Sequence, residues 1–523
     1  MKFKSLSRLL PTWQNALLAV LAAILLILAF PPFELWFAAW FALVPLLWAI
    51  ERDGTASRAF ILGWLFGNVF FYGTCWWLTF APITYAGFPP ALAYFLLLGA
   101  TSAAAIFPGV FAAVTAFLLK RFGPVAFLLA PFVWVFNEFA RYWLTGNNWN
   151  AAGYSQAFGY GFLQLAEIGG VLLISFLCLG VNSTLIYSLS SDLRKRRMWG
   201  IGLILLITSL PVLLEINALW ADLNAPSGGA NKPTAMIVAI QPNVPMSGLN
   251  TAKWDELRNR QIERAQAAID PTVRFAPTYV ILPESPMNFM YHDDREFQKF
   301  IGEFTQRNYV SVLFNSAEPD PLNGKYFNSA VLVGPEGREV AQYDKIYLLP
   351  FGEAVPVPLE SIVPAFVGSF SYGQEYDLLP IGDARAGVMI CFESHFGQLS
   401  REYVRNGADV IIEMTNDGYL GPTPVLRQHL ANAVFRAVET NRPVLRVTNV
   451  GITAYINEKG AVLDAAEPYQ EDTRVWSVSR SDGSQTFYVK YGDWFAWLCS
   501  LVTIALLLLG IAKSRRPLSE PPA

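Results

Sequence analysis

Crossing the roughly 30 Å hydrocarbon core of a bilayer takes about twenty consecutive apolar residues in a helix. Runs of that kind recur through the first 220 positions of this sequence and return once near its end. They predict a polytopic α-helical membrane domain of about eight spans, near 14–30, 36–50, 58–80, 90–118, 124–140, 163–188, 198–219 and 493–512. Composition agrees, since 53% of the 523 residues are hydrophobic and only 15% charged, against about 25% charged in an ordinary soluble protein. That excludes a wholly soluble or disordered chain. A net charge of −3 offers no basic face for nucleic acid. Lys2, Lys4 and Arg8 precede the first run as in a signal peptide, but Ala29-Phe30-Pro31-Pro32 has no small-x-small cleavage pattern. The first span is therefore expected to remain as an anchor.

Lys and Arg gather in the cytoplasmic loops of membrane proteins. Here alternate loops carry Lys2, Lys4 and Arg8, then Arg52 and Arg58, Lys120 and Arg121, Arg194 to Arg197, and Lys513, Arg515 and Arg516, while the opposite loops have almost none but Arg141. Both termini are expected in the cytoplasm and the segment between spans seven and eight outside. Glu138, Glu167 and Glu215 lie in or beside spans, where charge is costly and often functional. Pairing at the membrane interface accounts for Glu138, close to Arg141, and for Glu215, near an outer end, without a transport pathway. Ala103-Ala104-Ala105 reads as a helix-packing surface, and Tyr142, Trp143, Trp149 and Tyr154 as an outer aromatic belt.

From about 233 to 489 the texture changes to short β-branched runs alternating with charged amphipathic stretches, as in a layered α/β sandwich. Strands are expected at 235–241, 279–282, 310–314, 329–333, 386–391, 410–413, 444–448 and 454–457. Helices are expected at 253–269, with Thr251 as N-cap, and at 295–307, 398–406 and 424–440. In the last of these, Leu426, Leu430, Ala433 and Ala437 share one face. The stretch 350–372 sets four prolines among Leu359, Ile362, Val363, Phe366, Val367 and Phe370, and reads equally as a lipid-facing lid or a buried loop. The resulting division is 1–220 membrane, 233–489 soluble, 493–512 the last span, and 513–523 a cytoplasmic tail.

Cys75, Cys178 and Cys499 fall in predicted spans, where cysteine is ordinarily a small hydrophobe. Cys391 is alone in the soluble part and has no disulfide partner there. The run 387–397 is an apolar strand that turns polar at Cys391 and leads toward a helix. A strand-to-helix turn of this kind presents a nucleophile with the next backbone N–H turned to an oxyanion. A core cysteine at a strand end explains the same pattern. Two other strand ends turn polar: Pro283-Glu284-Ser285-Pro286, and Asp344-Lys345 with Phe351-Gly352-Glu353 beyond it. His292, His395 and His429 lie far apart with no paired spacing, so no metal site is expected.

Strand-Pro-Glu, Asp-Lys followed by Phe-Gly-Glu, and strand-Cys-x-Glu, in that chain order, resemble the nitrilase (carbon-nitrogen hydrolase) superfamily with its Glu-Lys-Cys triad. Nitrilases are mostly soluble, and a nitrilase-like domain set between membrane spans resembles the apolipoprotein N-acyltransferase family. That resemblance covers nearly the full chain, including Ala29 to Phe33, Gly63 to Gly67 with Gly73 and Trp76, Gly146 to Trp149 with Gly153 to Gln156, Gln241 to Val244, and Lys253 to Asp255. The sequence departs from the family pattern where Asn148 replaces a proline, Pro242 a glycine and Phe392 a tyrosine. The last removes any role for a hydroxyl at that position.

The resemblance implies a nitrilase-like αββα sandwich and an acyltransferase that needs no cofactor. It implies transfer of an acyl chain from a phospholipid, typically phosphatidylethanolamine, to the N-terminal α-amino group of a diacylglyceryl-cysteine apolipoprotein. It also implies a cysteine thioester intermediate and a place in the bacterial inner membrane, with the soluble domain periplasmic. On this reading Glu284 is the base, Lys345 the cation and Cys391 the nucleophile. Phe392 supplies a backbone N–H, and Glu353 and Glu393 orient the lysine and the nucleophile loop. Trp254 is explained as well by packing as by lipid contact. Asn328 reads as structural and His429 as surface or packing. His395 would have to fold back to reach the sulfur. The competing readings are a membrane-anchored amidase, which leaves the spans and apolar loop unexplained, and a transporter or scaffold with an inactive domain, which the intact Glu284, Lys345 and Cys391 argue against.

The charge bias makes the orientation testable. A single cysteine at Gln266 in a Cys391→Ala background should be labelled by an impermeant thiol reagent once only the outer barrier of the cell is opened. Labelling that waits for lysis of the inner membrane would reverse the orientation.

Overall fold

The computed structural model describes residues 10–159, 161–190, 198, 200–202, 209, 233–270, 276–350, 352–355 and 370–515. It comprises two compact units, Met1–Ala225 with Asp493–Ala523, and Pro226–Gly492. In the first, the main helices are Trp13–Leu28, Val44–Asp53, Ala56–Cys75, Pro90–Ala104, Ile106–Phe122, Ala126–Thr145, Ala166–Leu189 and Trp494–Arg515. Among the described residues, Ala56–Thr84, Pro90–Thr145, Phe162–Leu189 and Trp494–Lys513 are long and apolar enough to cross a membrane, and Trp13–Leu28 is a shorter apolar helix. Within the second of these stretches the helices Ile106–Phe122 and Ala126–Thr145 pack on each other across Gly123, whose φ of +68° favours a residue without a Cβ. The expected spans 90–118 and 124–140 fall on its two arms.

Other expectations in this unit need correction. The span at 36–50 is instead a short 3-10 turn, Trp36–Trp40, and a helix of 10 residues, Val44–Asp53, ended by left-handed Gly54. At 1.5 Å per residue that helix covers about 15 Å, half the hydrocarbon core. Glu138 and Arg141 are both buried, not paired at an exposed rim. The Glu138 carboxylate accepts from Trp134 Nε1 and Ala152 N, each at 2.8 Å, and Arg141 donates to the Trp149 carbonyl and to Asn148. Buried Tyr154 is no belt residue. Most of the span at 198–219, with Glu215 and the basic run Arg194 to Arg197, lies outside the described residues.

The second unit is built on two sheets. Strands β1 (Ala235–Gln241), β2 (Thr278–Ile281), β3 (Ser311–Pro319), β4 (Tyr326–Val333), β5 (Glu339–Asp344), β6 (Phe370–Ser371) and β13 (Asp472–Val478) form one, in the order β13-β1-β2-β3-β4-β5 with β6 beside β4. Strands β7 (Leu378–Ile381), β8 (Ala384–Ile390), β9 (Val410–Thr415), β10 (Val444–Thr448), β11 (Ala454–Ile456) and β12 (Val462–Leu463) form the other, in the order β12-β11-β10-β9-β8-β7. The centre of each is parallel, β1-β2-β3 and β8-β9-β10. Their residues are almost all buried, as parallel strands covered on both faces must be. Contacts of β1 with β10, β4 with β8 and β5 with β7 stack the sheets, and helices cover the outer faces, giving the αββα sandwich.

Each helix has a local reason to form. Asp294 caps Arg295–Asn308 by accepting from Glu296 N and Phe297 N at 2.9 Å, a cap worth about 1 kcal/mol. Its Phe297, Ile301 and Phe304 lie on one face and enter a core with Val238, Val280, Phe314 and Val331; a fully buried side chain of this size contributes about 1.5–3 kcal/mol. Thr251–Ala268 is capped by Asn250, which accepts from Lys253 N, and not by Thr251 as expected. Pro424 stands at the N-cap of Val425–Thr440, a helix buried on all sides.

Of the apolar stretch 350–372, residues 351 and 356–369 lie outside the described residues; its far end forms β6. In β8, a Cβ on Gly387 would come within 2.4 Å of the Tyr403 ring. That ring cannot yield, because its hydroxyl donates to the Val388 carbonyl at 2.5 Å. Gly387→Ala should therefore cost about 1–3 kcal/mol by overpacking and lower the melting temperature of the purified protein by several degrees. An unchanged melting curve would show that the helix Gly397–Arg405, which carries Tyr403, is not held against β8.

Candidate active site

Three loops leave the carboxyl ends of strands and converge. Glu284 follows β2 through Pro283, Lys345 directly follows β5, and Cys391 directly follows β8. The sequence places Cys391 as the last residue of its strand; instead it opens a 3-10 turn, Cys391–His395, at φ +53°. A non-glycine residue held in that left-handed region costs on the order of 1–3 kcal/mol and is found where function fixes the backbone.

Two carboxylates hold the constellation. Glu353 accepts from Lys345 Nζ at 2.8 Å and from Leu349 N at 2.7 Å. Glu393, fully buried, accepts from Ile390 N at 2.8 Å ahead of the nucleophile, and from Ile346 N at 2.7 Å, Tyr347 N at 3.0 Å and the Tyr343 hydroxyl at 2.8 Å around the lysine. One side chain thus ties the lysine loop to the nucleophile turn. Glu284 Oε1 lies 3.9 Å from Lys345 Nζ, and its Oε2 accepts from Asn416 N at 3.2 Å. The Cys391 thiol lies close enough to Glu284 and Lys345 for both to act on its protonation.

Burial and the surrounding charges set the protonation states. Burial pushes the Glu284 carboxyl above its ordinary range, with Lys345 pulling the other way. Burial and the Glu284 charge together push the Cys391 thiol well up, and Lys345 opposes them. Burial would lower the Lys345 ammonium, but Glu353 and Glu284 raise it. Burial brings the Glu393 carboxyl up to about 7 against its N–H and O–H donors and Lys345. At rest, then, burial favours the protonated thiol, beside a carboxyl of raised basicity and an ammonium fixed by its carboxylates. This is the arrangement for a nucleophile activated by an adjacent base.

Sequence reasoning leaves out two features that the fold brings in. Asn328, on β4, donates to Glu353 Oε1 at 2.6 Å and to Glu284 Oε1 at 3.3 Å, so it bridges the carboxylates. His429 is neither surface nor simple packing. It is buried, with Nδ1 2.7 Å from Asp417 Oδ1 and Nε2 3.1 Å from the Cys391 carbonyl and 3.2 Å from Glu413. Arg446 completes that cluster against Glu413 and, at 2.9 Å, against Asp417. Burial alone would raise the Asp417 carboxyl, but His429 and Arg446 hold it below the usual range. No nearby residue spacing announces this cluster.

The remaining expected residues take different places. Phe392 stacks on His395 at 5.6 Å and meets Phe396 edge-on, and Phe396 stacks on Tyr347 at 4.1 Å, forming an aromatic wall next to the nucleophile turn. His395 belongs to that wall. Trp254 packs edge-on against Phe289 and donates its indole N–H to the Met287 carbonyl at 3.0 Å; packing accounts for it. Among the described residues no His, Cys, Asp and Glu group could hold a metal ion.

Comparison with known proteins agrees with both halves of the chain. Residues 22–184 match the apolipoprotein N-acyltransferase N-terminal domain family, and residues 239–488 the carbon-nitrogen hydrolase family. A curated apolipoprotein N-acyltransferase of Geobacter metallireducens is 32% identical over 96% of this chain and 96% of its own. One of Thermotoga maritima is 30% identical over 95% of this chain and 94% of its own. Among solved structures, a Saccharomyces cerevisiae member of branch 10 of the nitrilase superfamily aligns over 49% of this chain and 93% of its own, at 16% identity and a TM-score of 0.36. With relatives of that identity matched from end to end, the chain belongs to the apolipoprotein N-acyltransferase family.

Proposed function

We propose that the protein transfers an acyl chain from a membrane phospholipid, phosphatidylethanolamine foremost, to the α-amino group of a diacylglyceryl-cysteine apolipoprotein, by way of a thioester on Cys391. The observation that carries this reading is the convergence of half-buried Glu284 and Cys391 on buried Lys345, with the cysteine at positive φ beyond a strand. Family membership supports the reaction class, and the apolar helices support a protein embedded in the membrane that holds the donor lipid.

In the first half-reaction the Cys391 proton passes to Glu284 and the sulfur attacks the ester carbonyl. The carbonyl oxygen gains negative charge, which the Lys345 ammonium and the Phe392 backbone N–H stabilise. The carbon–oxygen bond breaks, Glu284 returns its proton to the departing lysophospholipid, and the acyl chain stays on sulfur. In the second half the apolipoprotein amine, with an ordinary pKa of about 7.7–8.0, attacks the thioester and gives its proton to Glu284, which hands it back to the leaving thiolate. Glu353 and Glu393 keep Lys345 and the nucleophile turn in register. The thioester must outlast the wait for the amine, and the wall of Phe392, Phe396 and Tyr347 excludes water that would hydrolyse it.

On this proposal residues 233–489 face the periplasm, between a membrane domain of residues 1–220 and a last span at 493–512. The protein lies in the bacterial inner membrane, and the tail 513–523 is cytoplasmic. The charge distribution of the loops supports that orientation.

Incubation with phospholipid followed by mass spectrometry should find one fatty-acyl adduct, on Cys391. Cys391→Ser should fold in membranes yet form no stable acyl-enzyme, because a neutral hydroxyl lacks the nucleophilicity of a thiolate. Acylation at the wild-type rate in that variant would sink the assignment. Cys75, Cys178 and Cys499 are buried in the helical unit, so replacing all three with Ala should leave turnover intact. Glu353→Gln removes the carboxylate that grips Lys345 and leaves a buried ammonium short of a counter-charge. A disrupted partner of that kind costs about 1–3 kcal/mol, so acyl-enzyme formation should slow by about ten- to a hundred-fold in single-turnover measurements.

A further inference from the structure

The cluster behind the nucleophile has a hydrogen-bond pattern that fixes its protonation. His429 Nδ1 faces Asp417 Oδ1 at 2.7 Å, and its Nε2 faces the Cys391 carbonyl at 3.1 Å and Glu413 Oε1 at 3.2 Å. A carbonyl can only accept. Asp417 also takes Arg446 Nη2 on its other oxygen at 2.9 Å, and so faces the ring as a carboxylate, which can only accept. A neutral imidazole has one donor and one acceptor nitrogen, and would set a lone pair against an oxygen on one side. Donation from both ring nitrogens meets the carbonyl and the Asp417 carboxylate together. In that form His429 would join Arg446 against Glu413 and Asp417, and all four side chains are buried.

The peptide that receives the Nε2 proton is the one joining Cys391 to Phe392. Its oxygen accepts from His429, and its nitrogen is the Phe392 N–H assigned above to the developing oxyanion. A hydrogen bond at one end of an amide polarises it and strengthens the donor at the other, more so when the first partner is charged. We propose that His429 is a positioning residue for the acyl-transfer step, an imidazolium that pins the Cys391 carbonyl, holds the nucleophile at positive φ, and strengthens the Phe392 N–H as an oxyanion donor. The inference rests on the thioester reading above, since it needs an oxyanion beside Cys391.

The test compares two reactions of the same sulfur in the full-length protein. Attack on a phospholipid ester builds an oxyanion, whereas alkylation by iodoacetamide does not. In His429→Gln, a side chain that can still donate to the Cys391 carbonyl but carries no charge, single-turnover acylation at saturating phospholipid should fall by about ten- to a hundred-fold, short of the loss from deleting an oxyanion donor outright. The apparent KM for phospholipid and the alkylation rate should change far less. Acylation at the wild-type rate, or an equal fall in both reactions, overturns the inference.

If that variant does not fold, the wild-type protein decides. Its histidines number three, so nitrogen-15 histidine spectra at neutral pH can be assigned by elimination with His292→Gln and His395→Gln. Two protonated ring nitrogens on His429 support the proposal, and a neutral tautomer overturns it. If wild-type protein acquires no acyl group on Cys391, it is the thioester reading that fails; if it does and His429→Gln acylates normally, only the role of His429 falls.

Discussion

Everything at the candidate site hangs on the Glu393 carboxylate. Buried and acceptor-only when ionised, it gathers four donors from two parts of the chain far apart in sequence: Ile390 N from the strand that carries the nucleophile, and the Tyr343 hydroxyl, Ile346 N and Tyr347 N from β5 and the loop after it that carries Lys345. Ile390 N lies at the end of β8, and Ile346 N and Tyr347 N just beyond the end of β5. Left unpaired and buried, each would cost about 1–3 kcal/mol. A single charged side chain satisfies them and in the same act sets the separation of the thiol and the ammonium.

Burial on this scale is tolerable only if charge is balanced locally, because moving an ion out of water costs several kcal/mol unless partners repay it. The domain meets that condition twice, on either side of Cys391. In front, Lys345 lies between Glu353 and Glu284. Behind, Arg446 and His429 face Glu413 and Asp417. The backbone at Cys391 is held from both directions: Glu393 on the residue before it, His429 on its own carbonyl. Replacing one member of either set leaves its partners as uncompensated buried charge, so substitutions there should affect folding as well as rate.

How much of this the sequence discloses follows from how local each signal is. Glu284 and Cys391 stand out because each marks a place where an apolar strand turns polar, and Lys345 because it opens the short apolar turn that Glu353 closes, changes visible within a few residues. The central strands are legible for the same reason, since β1, β8, β9 and β10 are runs of buried apolar residues. β5 and β13 escape the reading because they are edge strands with mixed exposure, written in polar residues such as Glu339, Gln342, Asp472 and Arg474. Asn328 and His429 escape for a different reason. Their partners come from other strands and helices, so nothing in their own neighbourhood distinguishes them from a structural asparagine or a packed histidine. In the helical unit, hydrophobicity reports apolar content but not continuity, which is how a 3-10 turn and a short helix at 36–50 read as a span.

The proposed reaction also explains why the base is a buried carboxyl and not a histidine. The same group must take a proton from a thiol, surrender it to an alkoxide, take another from an amine, and surrender that to a thiolate. A carboxylate in water, with a pKa near 4.3, would be too weak a base for the first and third of these steps. Burial raises the Glu284 carboxyl, and Lys345 keeps the rise from trapping the proton there. Glu284 also accepts from Asn328 and Asn416 N, so its oxygens stay aimed while the proton comes and goes. A single carboxyl tuned by burial in one direction and by a neighbouring cation in the other can therefore serve both halves of the transfer without the site rearranging between them.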